Sequence, residues 1–371
     1  MAKIVNETEL IFDESDINEN GILKTNFRKK IPKKSITKII LPDGLKMIPD
    51  KAFEDCESLQ EIHISDSVTE IGDNAFHKCE SLKEINIPDG VTEIGGKAFV
   101  NCNSLKKVNI PDGVTQISDG TFWGCESLQE VNIPDGVIEI GEHAFSGCNS
   151  LQEIHIPDSV TKISSDAFAT CYSLKEINIP NSVTEISNGA FGWCRSLREI
   201  RIPDSVTEIG KEVFKGCKSL KEINIPNGVT KICWGAFRDC RRLQKINIPD
   251  SVTLIGTNAF AGCESLKEIN IPDGAEVEDR VFCYCDSLES IMFKKQNIKS
   301  FIKKYDSKHF DVIKSLNDND LPLTDDMLDK AMEAKKNDRL RGFVVKTKKR
   351  LSERELPDIS DNQDCNDFQF D

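Results

Sequence analysis

The sequence predicts an elongated repeat solenoid, and three observations carry that prediction. A cysteine recurs every 23 residues from Cys56 to Cys263 without insertion or deletion, and Cys285 follows one residue early. A phenylalanine precedes each of these cysteines by three residues, from Phe53 to Phe282. Because self-similarity at a period of about 20 to 50 residues is typical of stacked coils, we expect the 371-residue chain to form one long stack rather than several compact domains.

Each repeat contains the signals of two strands. Residues 82–87, LKEINI, make the pattern L-x-x-L-x-L, whose final part alternates apolar and polar positions as a half-buried strand does. The following Pro-Asp-Gly ends that strand, since proline donates no backbone hydrogen bond and Asp-Gly favours a tight turn. Residues 91–94, VTEI, favour a short second strand, and the spacing within 98–102, AFVNC, predicts about one turn of α-helix or 3₁₀-helix.

This repeat resembles the BspA-like class of leucine-rich repeat, whose pattern is close to L-x-x-I-x-I-P-x-S-V-T-x-I-G-x-x-A-F-x-x-C. The string A-F-x-x-C is kept outright at 52–56, 75–79, 98–102, 144–148, 167–171, 190–194, 236–240 and 259–263. The resemblance covers residues 36–293 and implies a right-handed leucine-rich-repeat solenoid that serves as a non-enzymatic scaffold for protein contacts. Members of the family are often secreted or displayed on the surface of bacteria and some protists, and some are described as adhesins.

The same pattern predicts five segments. A solenoid needs its terminal core covered, so residues 1–35 are expected to form an N-terminal cap ahead of about eleven repeats over 36–293. An apolar i, i+3, i+4, i+7 pattern follows and predicts a helix within a C-terminal cap, 294–313. Residues 314–355 are expected to be a partly helical extension, and 356–371, which are polar and acidic, a disordered tail.

Charge narrows the class of partner. The net charge is −14, and residues 294–371 hold 17 Lys or Arg against 16 Asp or Glu, so the excess of acids lies on the repeats. Nucleic acid is an unfavourable partner for such a surface, because binding phosphates needs a cationic one. We expect a protein partner with a basic surface, and a chain that is monomeric or weakly self-associating.

The N-terminal sequence and the family resemblance predict different locations for the protein. Residues 1–16, MAKIVNETELIFDESD, hold no apolar run of signal-peptide length, which predicts a cytoplasmic protein. No later stretch approaches 18 consecutive apolar residues, so no membrane span is expected. The family resemblance, in contrast, implies a secreted or surface-displayed protein.

The cysteines are expected to be structural. Ten of the fourteen share one interior position beside Phe and Leu, where a cysteine packs as a small hydrophobe. Parallel stacked side chains do not suit the dihedral angle of a disulfide, and the repeated C-x-x-C spacing of zinc sites is absent. Free buried thiols are therefore predicted, whereas Cys233, Cys283 and Cys365 lie off the column and are expected to be exposed.

No pattern of residues predicts an enzyme. The sequence contains no nucleophile motif, phosphate-binding loop or metal signature, and its five histidines are scattered. We therefore expect no catalytic residues, no metal and no cofactor.

The predicted docking surface is the exposed side of the first strand of each repeat, which we call the strand face. Glutamates recur there at intervals of 23 residues, interrupted by Lys107 and Lys245, and like charges stacked on neighbouring strands repel one another. A neighbouring column of lysines offers an alternative interpretation, a self-neutralised solvated face. The residues predicted to bind a partner are Glu130, Glu153, His155, Glu176, Glu199, Arg201 and Glu222.

A second candidate surface is aromatic. Exposed aromatic residues are enriched at binding hot spots, and four occupy variable positions of the repeat: Trp123, Tyr172, Trp193 and Trp234. The three tryptophans fall in different columns and need not form one patch, so core packing is the alternative. The favoured function is a non-enzymatic protein-interaction scaffold that uses the strand face. A surface adhesin for host protein or carbohydrate and a structural or self-associating rod are the alternatives.

Overall fold

The chain folds as a β-solenoid. The structure, a computed structural model, describes residues 3–24, 31–272, 274–288 and 290–293. These residues form about ten turns, where the sequence predicts about eleven repeats, and the predicted spacing of about 23 residues is confirmed. The predicted C-terminal cap, extension and tail, 294–371, lie outside the described residues.

The first strand of each repeat forms one side of the stack. Its central residue is buried or half-buried and its flanking residues are mostly exposed, which confirms the alternating pattern. Neighbouring strands pair in parallel and in register at a spacing of 23 residues, and around Glu84 the strand is reduced to a single bridge with Lys107. These strands are Lys38–Ile40, Glu61–His63, Lys107–Asn109, Glu130–Asn132, Glu153–His155, Glu176–Asn178, Glu199–Arg201, Glu222–Asn224, Lys245–Asn247, Glu268–Ile271 and Ser290–Phe293.

A second column of shorter strands runs parallel to the first. Each has two residues, and the second residue of each pair is buried. Their bounds are Met47–Ile48, Glu70–Ile71, Glu93–Ile94, Gln116–Ile117, Glu139–Ile140, Lys162–Ile163, Glu185–Ile186, Glu208–Ile209, Lys231–Ile232, Leu254–Ile255 and Glu276–Val277.

The interior is built from columns of identical side chains. Eleven phenylalanines from Phe53 to Phe282 are fully buried, and successive rings stack with centroids 5.3–5.9 Å apart. Each buried phenylalanine contributes roughly 1.5 to 3 kcal/mol, which cannot order 23 residues unless neighbouring coils share the same apolar surface. The stack is therefore stable only as an array.

The predicted helical turn is wrong, and the backbone shows why. In the repeat that contains Phe99, both Lys97 and Asn101 have positive φ angles, 59° and 57°, which a right-handed helix does not allow. Alternate N–H groups donate to the next coil instead, as Phe99 does to the carbonyl of Thr121 at 2.8 Å. The N–H groups between them close turns within the coil, as from Cys102 to the carbonyl of Phe99 at 3.2 Å. Sharing hydrogen bonds between coils thus replaces the helix.

The column cysteines are buried free thiols, as expected. From Cys79 onward, each thiol donates to the carbonyl oxygen of the phenylalanine in the preceding coil, with Sγ–O distances of 3.1–3.4 Å. Burial raises the pKa of Cys125 and Cys171 to about 12, because the thiolate would lose its hydration. The column therefore fills space and also satisfies a buried carbonyl.

The three off-column cysteines do not behave alike. Cys283 was expected to be exposed, but it is buried, with only 6% of its surface accessible. Cys233 is half-exposed and lies 2.9 Å from a carboxylate oxygen of Glu208. Cys365 lies outside the described residues.

The N-terminal residues pack against the first coil. Lys3–Val5 pairs antiparallel with Glu9–Ile11, which in turn pairs in parallel with Lys38–Ile40. The ring of Phe12 meets Phe53, the first ring of the column, edge-on at 6.1 Å. A 3₁₀-helix over Glu14–Asp16 is the one helix among the described residues, where no helix is long and apolar enough to cross a membrane. A cap boundary at residue 35 stays a prediction.

Candidate strand-face docking site

Three glutamates of the strand face stand directly beside one another. Glu153, Glu176 and Glu199 are Cα partners on adjacent parallel strands, so parallel strand geometry places their side chains about 4.8 Å apart. All three are exposed, while the isoleucines that follow them are 6–7% exposed and anchor the strands in the core. Period-2 alternation therefore presents a row of carboxylates on a rigid sheet.

Among the described residues the carboxylates of this row have no ion-pair partner, whereas two other glutamates of the column have one. Two members of the column are neutralised by the adjacent coil: Lys38 Nζ lies 3.0 Å from Glu61 Oε1, and Lys107 Nζ lies 2.7 Å from Glu130 Oε2. The contact with Glu130 also raises the pKa of Lys107. Ion pairs require a cationic nitrogen within 4 Å of a carboxylate oxygen. Across the described part of the chain, no such nitrogen lies within this distance of Glu153, Glu176, Glu199 or Glu222.

The row lines a groove. A concavity of about 920 Å³ runs across five strands. Arg201 is the one cation among the predicted binding residues that line it. His155 lines a neighbouring groove of about 480 Å³ together with Glu130, and Glu153 lines both. The structure thus brings together Glu153, Glu176, Glu199, Arg201 and Glu222, and it places Glu130 and His155 in the adjoining groove.

Four further polar residues of the larger groove were not among the predicted binding residues. Lys245 lies on the strand after Glu222, and the asparagines of three strands complete the wall. All four repeat the positions of Glu222 or Arg201 at multiples of 23 residues, so extending the column in both directions is the signal that finds them. These residues are Asn178, Asn224, Lys245 and Asn247.

The aromatic residues lie away from the strand face, in the stretch between each second strand and the next first strand. We call this stretch the return arc. Trp193 and Trp234 come together around one cation, since Lys215 Nζ lies 5.7 Å from the first ring centroid and 5.9 Å from the second. Trp123 stacks on His143 with centroids 5.1 Å apart. The tryptophans therefore form two separate groups.

Tyr172 forms a third aromatic contact on the return arc. The guanidinium of Arg195, one coil further along, lies 4.3 Å from the centroid of its ring. Such a contact contributes about 0.5–1 kcal/mol at an exposed site. Each of the four predicted aromatic residues thus has a neighbour within the chain that accounts for part of its position.

The chemistry available at the strand face is recognition by fixed charges. Within the described residues no group of three or more His, Cys, Asp or Glu side chains is arranged to hold a metal ion. The groove offers carboxylates, amides and two cations on short strands that pack against the core. Such a surface is suited to binding an extended or convex partner of opposite charge.

Comparison with known proteins agrees with this architecture. The family described as BspA type leucine-rich repeat region matches residues 30–137, 115–240 and 184–317. A leucine-rich repeat protein from Bacteroides ovatus is 28% identical, with a TM-score of 0.59 over 80% of this chain and 88% of the other. A leucine-rich cell surface protein from Faecalibacterium prausnitzii is 29% identical, with a TM-score of 0.41 over 79% and 85%.

A third solved structure shows a weaker similarity. The pneumococcal vaccine antigen PcpA is 20% identical, with a TM-score of 0.46 over 72% of this chain and 76% of the other. Among curated proteins, none matches the chain. The family match extends over three quarters of the sequence, from residue 30 to residue 317. The chain therefore belongs to the family of BspA-type leucine-rich repeat proteins.

Proposed function

We propose that this protein is a non-enzymatic scaffold that binds a protein partner through the groove of its strand face. Leucine-rich repeat proteins generally bind proteins, and their solenoids are typically scaffolds rather than enzymes. The site proposed here comprises Glu153, Glu176, Glu199, Arg201 and Glu222, with Glu130 and His155 at its edge. The partner presents a basic surface and no phosphate backbone.

The row of unpaired carboxylates is the observation that supports this site. Directly opposed like charges on adjacent strands destabilise a sheet by a few tenths of a kcal/mol per pair. The same column carries Lys107 beside Glu130, so a lysine in this position is compatible with the fold. Three successive glutamates therefore serve something other than folding, and a cationic partner would relieve their repulsion.

Capture from a lysate of the source organism tests the proposal. The full chain is immobilised and compared with two variants of equal charge change, E153Q/E176Q/E199Q in the groove and D112N/D135N/D158N in exposed turns. We expect the groove variant to lose a partner that the turn variant retains, and association of that partner to be roughly tenfold or more slower and less sensitive to salt.

The aromatic surface provides the contrary outcome. A W123A/W193A/W234A variant should keep the partner that the groove variant loses. If this variant loses the partner while E153Q/E176Q/E199Q keeps it, binding takes place on the return arc and the strand-face assignment is wrong. Loss by both charge variants alike would indicate that net charge, and not the groove, controls capture.

A further inference from the structure

The charge of the repeats is segregated along the solenoid. Residues 108–161, here the acidic band, contain nine Asp or Glu and no Lys or Arg. Residues 195–245, here the basic band, contain twelve Lys or Arg against six Asp or Glu, a net charge of +6 in a chain whose total is −14. The two bands are nearly equal in length, 54 and 51 residues, and they lie on either side of the central coils that contain Phe168 and Phe191.

On the return arc this segregation is clearest at the residue after each column cysteine. In three successive coils that residue is Arg195, Lys218 or Arg241, where parallel stacking brings like charges about 4.8 Å apart. In the coils before and after them it is an acid, an asparagine or a tyrosine. Neighbours within the chain reach the two ends of this row, Tyr172 under Arg195 and Glu264 at 3.3 Å from Arg241. A fourth cation, the exposed Lys211, lies nearby on the same arc.

Symmetry relates the two bands. A two-fold axis that lies in an interface between antiparallel rods, at the level between Phe168 and Phe191, places each position of the repeat opposite the same position in another coil. It sets the coil of Phe122 against the coil of Phe237, and that of Phe145 against that of Phe214. Both bands of one copy then meet the opposite band of the other copy at the same time.

The residues that this operation brings opposite one another are complementary. Glu126 comes opposite Arg241, and Glu142 comes opposite Lys211; all four are exposed. Trp123, which is 41% exposed, comes opposite Arg238, a pair suited to a cation–π contact. Within the six coils from Phe122 to Phe237, no carboxylate falls opposite a carboxylate, and no cation opposite a cation, at these positions of the arc.

We propose that two copies of this chain pair antiparallel along their return arcs, acidic band to basic band, about this two-fold axis. An unrelated polyanion would bind the basic band only and would leave the acidic band without a partner. A second copy of the chain binds both bands. The six coils from Phe122 to Phe237 span roughly 29 Å at about 4.8 Å per coil, so the interface falls at the small end of specific interfaces and depends on its charges. The pairing leaves the strand-face groove open, and it goes beyond the proposed partner binding.

Charge reversal with mixing tests the pairing. Sedimentation velocity of the full chain is measured at low and high salt for the wild type, for K211E/R241E and for E126K/E142K. The wild type should dimerise at low salt and dissociate in about 0.5 M salt, and each variant alone should associate at least tenfold more weakly. An equimolar mixture of the two variants should restore the dimer, because every reversed charge then meets its opposite.

A matched control separates pairing from net charge. The variant K106E/K175E makes the same charge change as K211E/R241E at exposed positions outside both bands, and it should dimerise as the wild type does. A wild type that stays monomeric at about 100 μM in low salt overturns the proposal, as does a mixture that fails to restore association. Binding of a labelled poly-glutamate peptide to a monomeric wild type, lost in K211E/R241E, would assign the basic band to an anionic ligand instead.

Discussion

The acidic and basic bands have the same interior and opposite surfaces. The rings of Phe122 and Phe145 stack at 5.5 Å in the acidic band, and those of Phe214 and Phe237 stack at 5.4 Å in the basic band. Strand positions and the thiol-to-carbonyl hydrogen bonds are likewise repeated in both bands. The difference teaches that the fold depends on the interior columns and tolerates either sign of charge outside them.

The largest expected effect concerns the thiol column that both bands share. The pKa of Cys125 and Cys171 is about 12 in the folded chain and near 9.0 when solvated. A raised pKa of this kind leaves stability intact below pH 9, and stability falls between pH 9 and 12 because only the unfolded state releases the proton. Each buried thiol adds a slope of up to about 1.4 kcal/mol per pH unit, so the stack should unfold steeply in mild alkali.

Urea unfolding at pH values from 7 to 10.5 measures this slope. The variant Cys125→Ala serves as the control, since removing one thiol should make the alkaline slope shallower by about 1.4 kcal/mol per pH unit. An unfolding free energy that stays constant up to pH 10.5 would contradict the buried thiol column.

A smaller effect compares the two bands directly. Phe145→Ala in the acidic band and Phe214→Ala in the basic band should each cost roughly 3 to 5 kcal/mol, the usual range for a buried phenylalanine. The two losses should agree within about a kcal/mol if the interior is independent of surface charge. Phe53→Ala should cost less if this end of the stack opens locally, because Phe53 has a coil of the repeat on one side and only the N-terminal residues, with the ring of Phe12, on the other. Equal losses at Phe53 and Phe145 in chemical denaturation would argue against a quasi-one-dimensional stack.

Most of the interior could be predicted from the sequence, because the same pattern of apolar residues recurs in eleven repeats about 23 residues apart. The Phe and Cys columns and both strands lie where their residue types predict. The predicted helical turn is wrong because residues such as Lys97 and Asn101 adopt positive φ angles, which their residue types do not indicate. Glycines at equivalent positions, among them Gly120 and Gly124 with φ of 61° and 73°, carry the signal that would have corrected it.

The surface was less predictable for a physical reason. Whether an exposed charge of the strands is neutralised depends on its neighbour one coil away, 23 residues along the chain, and on the rotamers of both. Lys107 reaches Glu130, yet no cation among the described residues reaches Glu176. The meeting of Trp193 and Trp234 at Lys215 also joins three different positions of the repeat. Counting residues along the 23-residue repeat therefore predicts which side of the solenoid a residue lies on, but it does not predict which residue it contacts.

The central claim is that the carboxylates of the strand face are surplus to the fold, and the unfolding free energy of E153Q/E176Q/E199Q tests it most directly. Urea denaturation at low salt should give a value within about a kcal/mol of the wild type, or slightly higher, because three stacked like charges are removed. Glu130→Gln, which breaks the exposed ion pair with Lys107, is the comparison and should lower the value only slightly. A loss of more than about 2 kcal/mol in the triple variant would show that these glutamates hold the sheet together, and the claim would fail.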